Sequence, residues 1–247
     1  KTLGGERDVV PVGVIIGLKP TDEELHEAVA GYLEDGYARV KLKIKPGRDV
    51  EMLAGLRERF PDTLFMADAN SAYRLEDSDR LREMDALNLT MIEQPLRYDD
   101  FLEHARLQER IETPVCLDES IKGEGDLALA LELGSCRIVN IKPGRVGGFG
   151  VSSRIHDTMR AAGLPVWCGG MLESGVGRAH NLALASLPGF TLPGDISASQ
   201  RYWSQDIVTP EFEVEDGVMK VPTGPGLGVE LDLDRIHGLT VREAEFG

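Results

Sequence analysis

Short apolar segments alternate with amphipathic segments along most of the chain. The apolar segments are rich in Val, Ile and Leu and are bounded by Gly, Pro and Asp, a pattern typical of buried strands. They predict strands at Val9–Leu18, Ala38–Ile44, Leu64–Ala69, Thr90–Glu93, Val115–Asp118, Ile138–Ile141, Val166–Cys168 and Thr191–Ile196. The amphipathic segments predict helices at Asp22–Glu34, Asp49–Arg59, Glu76–Leu87, Phe101–Ile111, Gly125–Leu133, Val151–Ala162 and Val176–Ala185. This alternation predicts parallel strands joined by right-handed crossovers.

Eight strands and seven helices favour an α/β fold of the closed (β/α)7β type, similar to a TIM barrel, over an open doubly wound sheet. No G-x-G-x-x-G motif follows a predicted strand, which disfavours a dinucleotide-binding fold. The alternation stops at Pro210, after which Phe212–Val221 predicts a hairpin that turns at Asp216-Gly217. We therefore expect a barrel domain over residues 1–209 and a C-terminal extension over residues 210–247.

The composition of the chain disfavours several kinds of binding partner and location. The 247 residues include 27 Lys and Arg against 42 Asp and Glu, for a net charge of −15, which disfavours nucleic acid and anionic membranes as partners. The three cysteines form no CxxC pair and favour a reducing, cytoplasmic location. No apolar run has the length of a membrane span. We expect a small-molecule ligand and a homo-oligomer.

Charged residues stand at the ends of five consecutive predicted strands. They occupy positions 43, 68, 93, 118 and 142 and are therefore 25, 25, 25 and 24 residues apart, about one strand-helix unit each; they are Lys43, Asp68, Glu93, Asp118 and Lys142. Strand alternation puts Lys41 and Lys43 on the face opposite Val40, Leu42 and Ile44. Because barrel active sites lie at the C-terminal ends of the strands, we expect these charges to ring the barrel mouth.

Three carboxylates that converge on one point repel each other unless a hard cation lies between them. We expect Mg²⁺, for which Mn²⁺ or another divalent cation could substitute, with Lys43 and Lys142 on opposite sides. A single charge at a strand end is more often a solvated rim residue or half of an ion pair, but five in phase favour a functional site. Two interpretations stay open for Asn70 and Glu119: they orient the site, or they are a turn residue and a rim charge.

Such a ring suits the removal of a proton next to a carboxylate. The metal would stabilise the negative charge left on the substrate, and a lysine would act as the base. The backbone at Gly169, Gly170 and Met171 leaves room for an acyl arm, and Asp195 is placed in the same pocket. Tyr202 could form a wall of this pocket together with neighbouring Trp203, or both could serve packing alone.

Seven segments carry a resemblance to a known family. They are KLKIKPG at 41–47, DAN at 68–70, IEQP at 92–95, LDES at 117–120, NIKP at 140–143, PVWCGGM at 165–171 and LPGDIS at 192–197. With these motifs the chain resembles the barrel domain of the enolase superfamily, muconate-lactonizing subgroup, in its o-succinylbenzoate synthase / N-acylamino acid racemase branch. The resemblance implies that Asp68, Glu93 and Asp118 bind Mg²⁺. It also implies that Lys43 is the base, Lys142 its partner, and Lys41 a residue that tunes Lys43.

The family resemblance implies a reaction and an upstream domain. Members carry an α+β capping domain before the barrel, which we expect to be missing from this chain. The implied reaction is the syn-dehydration of a cyclohexadiene carboxylate in menaquinone biosynthesis, with N-acylamino acid racemization as the alternative that the ring alone does not exclude. A non-catalytic, metal-binding barrel is a further alternative. Asp195-Ile196-Ser197 replaces the Asp-x-Asp of dipeptide epimerases, and no His ends strand seven as in acid-sugar dehydratases.

Overall fold

Seven of the predicted strands form one parallel sheet in chain order, β2 to β8, in the computed structural model, which describes residues 3–244. The first eight strands are β1 (Val9–Pro11), β2 (Gly13–Ile16), β3 (Arg39–Lys43), β4 (Leu64–Asp68), β5 (Ile92–Glu93), β6 (Val115–Leu117), β7 (Ile138–Ile141) and β8 (Val166–Cys168). The first eight helices are α1 (Asp22–Glu34), α2 (Val50–Arg59), α3 (Ser78–Glu83), α4 (Phe101–Gln108), α5 (Glu124–Leu133), α6 (Pro143–Val146), α7 (Phe149–Ala161) and α8 (Gly175–Ala185). The α/β barrel class predicted from the sequence is confirmed.

The barrel is closed by an irregular segment, and the prediction of a regular eighth strand was wrong. Gly194 accepts a hydrogen bond from the backbone of Gly13 at 2.8 Å and donates one to Pro11 at 3.2 Å. On the other side, the backbone of Asp195 donates to Cys168 at 2.9 Å. Pro193 has no N–H to donate, so a continuous ladder cannot form here. The segment nevertheless bridges β8 and β2.

The predicted first strand also needs correction, because it divides into two. β1 pairs antiparallel with β10 (Val218–Lys220), whereas β2 pairs parallel with β3. The predicted hairpin turn is present, since Asp216 and Gly217 both have positive φ, at 49° and 76°. Three more elements were not predicted by the alternation of strands and helices: β9 (Val208–Thr209) pairs with β11 (Glu230–Leu231), and α9 (Leu233–Leu239) follows β11. The division at residue 209 stays a prediction.

Two predicted helices differ from the structure, and one further helix was not predicted. The predicted helix at 76–87 consists of α3 between two short 3₁₀ segments, Leu75–Asp77 and Met84–Leu87, and ends at Asn88 with φ 51°. α4 ends three residues before its predicted limit. The one-turn helix α6, which begins with Pro143 and ends at Gly147 with φ 97°, lies between β7 and α7 and was not predicted.

Two apolar cores hold the barrel together. The larger core lies between the sheet and the surrounding helices, and α1 contributes Leu25 and Val29 to it. The smaller fills the inside of the barrel with five fully or almost fully buried side chains: Met66, Met91, Cys116, Ile138 and Trp167. This inner core closes the barrel below the strand ends, so that charged side chains at those ends rest on an apolar floor. Within residues 3–244, no helix has the length and apolar character that crossing a bilayer requires.

Candidate active site

The C-terminal strand ends surround a cavity of about 420 Å³. The sheet register places Lys43 opposite Asp68, and Asp68 opposite Glu93. Most of the residues predicted from the sequence line the cavity: Lys41, Lys43, Asp68, Asn70, Asp118, Glu119, Lys142, Gly170, Met171, Asp195 and Tyr202. Glu93 is fully buried beneath it. The five charged strand ends therefore lie at one mouth.

Each of the three carboxylates contacts an ammonium group. The Nζ atom of Lys43 lies 2.8 Å from Asp68 Oδ2. Lys41 Nζ lies 3.3 Å from the same oxygen and 2.7 Å from Glu93 Oε2. Lys142 Nζ lies 2.7 Å from Asp118 Oδ2. The mouth is a network of buried ion pairs in which cations and carboxylates alternate.

No group of three or more His, Cys, Asp and Glu side chains has the arrangement of a metal cage in the described part of the chain. The carboxylate oxygens face the lysines instead. The donor set still fits a hard divalent cation, because Asp68, Glu93 and Asp118 are all buried and stand on neighbouring strands. Burial, opposed by Lys41 and reinforced by Asp68 and Asp118, raises the pKa of Glu93 to about 8. A divalent cation would offset this repulsion.

Lys41 is held as a cation. Burial alone would lower its pKa, but the charges of Asp195, Glu93 and Asp68 raise the pKa of Lys41 well above its ordinary value. A lysine in this state keeps its proton and cannot act as a base. Its ammonium group also lies 4.6 Å from the ring centre of Trp167, on the apolar floor. Lys41 therefore contributes positive charge rather than proton transfer.

Lys43 and Lys142 reach the cavity from opposite sides. With the closing segment counted as the eighth position, β3 holds the second position in the barrel and β7 the sixth. Four positions in a ring of eight are half a circle. The side chain of Lys43 is 29 % exposed and that of Lys142 is 15 % exposed, so both amines are accessible from the cavity. This geometry suits acid-base chemistry on two faces of one atom.

Asn70 and Glu119 form a chain that ends at Lys43. Asn70 Oδ1 accepts a hydrogen bond from Lys43 Nζ, and Asn70 Nδ2 donates to Glu119 Oε1 at 2.9 Å. Asn70 has a left-handed backbone with φ 42°, a conformation that Asn tolerates better than most residues. Of the two interpretations left open by the sequence, the orienting one is favoured by these contacts.

The predicted pocket wall is only partly in place. Tyr202 and Met171 line the cavity, although Met171 is 59 % exposed, whereas Trp203 is 41 % exposed and is not one of the lining residues. The Trp203 indole donates to the Glu173 carbonyl at 3.3 Å. A Cβ atom at Gly170 would overlap the Asp195 carbonyl oxygen, so the backbone itself forms this part of the wall.

Comparison with known proteins places the chain in a family. The family model described as Enolase C-terminal domain-like matches residues 24–235. The chain belongs to this family. An o-succinylbenzoate synthase from Geobacillus stearothermophilus is 53 % identical over 240 residues, which are 97 % of this chain and 64 % of the relative. An N-succinylamino acid racemase from Thermus thermophilus is 52 % identical over 241 residues, 98 % of this chain and 65 % of the relative.

A solved structure supports the same assignment for this enolase-type barrel. The crystal structure of an enolase-superfamily member from Listeria innocua superimposes with a TM-score of 0.93 at 48 % identity. The match covers 96 % of this chain and 64 % of that chain. The chain thus spans about 64 % of the length of the curated synthase from Geobacillus stearothermophilus.

The site of this enolase-type barrel also contains Asn140, Arg39 and Arg145, which the sequence motifs did not predict as site residues. Asn140 Nδ2 donates to Glu93 Oε1 at 2.7 Å, and Arg39 Nη1 lies 2.7 Å from Asp195 Oδ1. Both could have been found by strand alternation, because Arg39 stands two residues before Lys41 and Asn140 stands two residues before Lys142. Arg145 pairs with Asp118. Its role could not be predicted from strand or helix periodicity, because Arg145 lies on the unpredicted helix α6.

Gly169 is expected to be essential for the position of Lys142. A Cβ atom at this residue would lie 2.6 Å from Lys142 Cε and would also overlap the Asn140 side chain. Gly169→Ala should displace the amine and lower kcat by about 10²-fold, because small misplacements of catalytic groups have effects of this size. Steady-state kinetics of the folded variant check this expectation. Gly144→Ala is the matched control, since nothing lies within 4 Å of its Cβ position; equal activity of the two variants would contradict the assignment.

Proposed function

We propose that this chain is the barrel domain of an o-succinylbenzoate synthase, which catalyses the Mg²⁺-dependent syn-dehydration of a cyclohexadiene carboxylate in menaquinone biosynthesis. The observation that carries the proposal is the pair of accessible amines, Lys43 and Lys142, on opposite sides of three buried carboxylates. The synthase name of a relative with 53 % identity supports the choice of reaction. Because the match covers 64 % of that relative, the activity of the whole protein is part of the proposal.

Asp68, Glu93 and Asp118 would hold the metal ion. When bound, Mg²⁺ supplies positive charge that stabilises the negative charge developing on the substrate carboxylate as the α-proton leaves. The three carboxylates would then exchange some of their lysine contacts for the cation. Mn²⁺ or another divalent cation with oxygen preference could replace it.

Both proton-transfer steps of the dehydration are assigned to Lys43. In its neutral form Lys43 removes the α-proton, while Asn70 and Glu119 fix the direction of its side chain. The ammonium formed in this step then protonates the departing hydroxide on the same face, which gives syn elimination. Lys142 holds a positive charge on the opposite face, and Lys41 remains a fixed cation.

N-acylamino acid racemization is the second candidate, and it would use both opposed lysines for proton transfer. One lysine would remove the α-proton from one face and the other would deliver a proton to the opposite face. An N-succinylamino acid racemase with 52 % identity supports this reaction. Both reactions share the first step, so one site could carry out both.

The proposed function is tested with the purified chain in Mg²⁺. We expect dehydration of the cyclohexadiene carboxylate, followed by ultraviolet absorbance of the aromatic product, and exchange of the α-proton of N-succinyl amino acids in D₂O, followed by NMR. Calorimetry measures Mg²⁺ binding in parallel. If Mg²⁺ binds but neither substrate reacts, the chain is a non-catalytic metal-binding barrel and the proposal is wrong.

We also propose a cytoplasmic location, which the three free and buried cysteines support. A homo-oligomeric assembly stays a prediction. Light scattering of the purified chain would give its molar mass, and a mass of 27.0 kDa would contradict the assembly.

Mg²⁺ binding should release a proton near neutral pH. The pKa of Glu93 is raised to about 8, so below this pH the metal-free fold keeps a proton that the cation must displace. The same proton stabilises the metal-free fold most at low pH, and that contribution is lost as the pH rises through about 8. The apparent affinity for Mg²⁺ should rise as the pH rises toward about 8 and then level off. Calorimetry in buffers of different ionisation heat measures the released proton; an affinity that does not change with pH would contradict this.

A further inference from the structure

Lys41 contacts one carboxylate that is not a proposed metal ligand. Its Nζ atom lies 2.7 Å from Asp195 Oδ2, as close as it lies to Glu93. We propose that Asp195 is a positioning residue, which keeps Lys41 in place when Asp68 and Glu93 turn toward a cation. The proposal rests on the proposed metal site and concerns how the chain avoids competition between its own ammonium group and that cation.

Asp195 is itself firmly held. Arg39 Nη1 lies 2.7 Å from Asp195 Oδ1, which leaves Oδ2 for Lys41. The Arg39 side chain is fully buried, and its guanidinium also donates to the carbonyl oxygens of Pro193 at 2.8 Å and Val14 at 3.2 Å. Arg39 is therefore fixed by β2 and by the closing segment, and it fixes the carboxylate of Asp195 in turn.

The side chain of Lys41 cannot move toward the inside of the barrel, because Trp167 occupies that space. The Trp167 ring lies 4.6 Å below its ammonium group and is fully buried. The ammonium group therefore has three carboxylate partners within 3.3 Å: Asp68, Glu93 and Asp195. Without the carboxylate of Asp195, the positive charge would depend entirely on Asp68 and Glu93, and would compete with any cation for their oxygens.

This role differs from substrate binding, which the sequence had suggested for Asp195. The side chain is 11 % exposed, and each of its oxygens is within 2.7 Å of a cationic nitrogen. Both oxygens are therefore already paired with cations of the protein. Asp195 therefore acts on the site through Lys41.

The test is a double-mutant cycle with Mg²⁺ affinity as its readout. Calorimetry measures Mg²⁺ binding to the parent chain, Asp195→Asn, Lys41→Met and the double variant. We expect Asp195→Asn to weaken Mg²⁺ binding about tenfold when Lys41 is present and by less than about twofold in the Lys41→Met chain. Equal losses in both backgrounds, or no loss in either, would overturn the proposal.

A matched control separates competition from simple loss of charge. Glu173 lines the same cavity, but its carboxylate accepts from the backbone of Met171 and from Asn181, both at 2.9 Å, rather than from Lys41. Glu173→Gln should therefore change Mg²⁺ affinity equally with and without Lys41. Circular dichroism checks the fold of every variant, and Asp195→Ser takes the place of Asp195→Asn if the latter does not fold. If the parent chain binds no Mg²⁺, the proposed function fails as well; if it binds Mg²⁺ but the cycle shows no coupling, only the role of Asp195 fails.

Discussion

Lys43→Arg is expected to abolish dehydration, with a loss of about 10³-fold or more, whereas Lys142→Arg should retain part of the activity. Arginine keeps the positive charge but does not give up its proton in the accessible pH range, so it cannot replace a base. In one-base dehydration Lys43 carries out all proton transfer. Lys142 contributes only charge, which arginine preserves. Initial rates of both variants in saturating Mg²⁺ test the difference.

The same two variants should each lose racemization but keep proton exchange on one face of the α-carbon. Because Lys43 and Lys142 stand on opposite sides of the cavity, each surviving lysine can remove the α-proton from one face only. Each variant should therefore exchange the α-proton of one enantiomer of an N-succinyl amino acid in D₂O, and the two variants should choose opposite enantiomers. Exchange of both enantiomers by either variant would rule out the two-face assignment.

Glu93→Gln is expected to remove detectable Mg²⁺ binding and to lower activity by about 10³-fold or more. The substitution keeps the size of the side chain but removes the central negative charge of the three proposed ligands. Glu93 is fully buried and contacts Lys41 and Asn140, so thermal melting must show that the variant keeps the parental fold. Calorimetry, thermal melting and assays in excess Mg²⁺ measure the three quantities.

Glu173→Gln is the control for this substitution, because it removes a carboxylate from the same cavity that bonds to Met171 and Asn181 instead of to the lysines. Its Mg²⁺ binding should remain measurable. Near-parental activity of Glu93→Gln in excess Mg²⁺ would show that the proposed triad is wrong.

Much of the site could be anticipated because its pattern is local. The alternation of side chains along β3 follows from strand geometry alone, and it correctly placed Lys41 and Lys43 at the cavity. The regular spacing of strand-helix units likewise predicted that Asp68 and Asp118 would lie at one mouth, as they do. The same reasoning could have found Arg39 and Asn140, which are in phase with the lysines of their strands.

Other features depend on contacts between distant parts of the chain. Arg39 and Asp195 are 156 residues apart and meet because the closing segment joins β8 to β2. The position of that segment is set by its hydrogen bonds to β2 on one side and β8 on the other. Pro193 has no N–H and interrupts the strand, so the local strand propensity of residues 191–196 predicted a regular strand that does not form. Arg145 reaches Asp118 only because Pro143 starts an extra helical turn after β7.

The amino-acid sequence by itself determined the alternation of strands and helices and the set of charges at the strand ends, because both depend on short-range periodicity. Only the tertiary structure decided how those charges pair. It placed Lys41 between Glu93 and Asp195, each 2.7 Å from its ammonium group, with Asp68 at 3.3 Å. The physical reason is that an ion pair depends on distances across the closed barrel, and those distances exist only after strands far apart in the chain have come together.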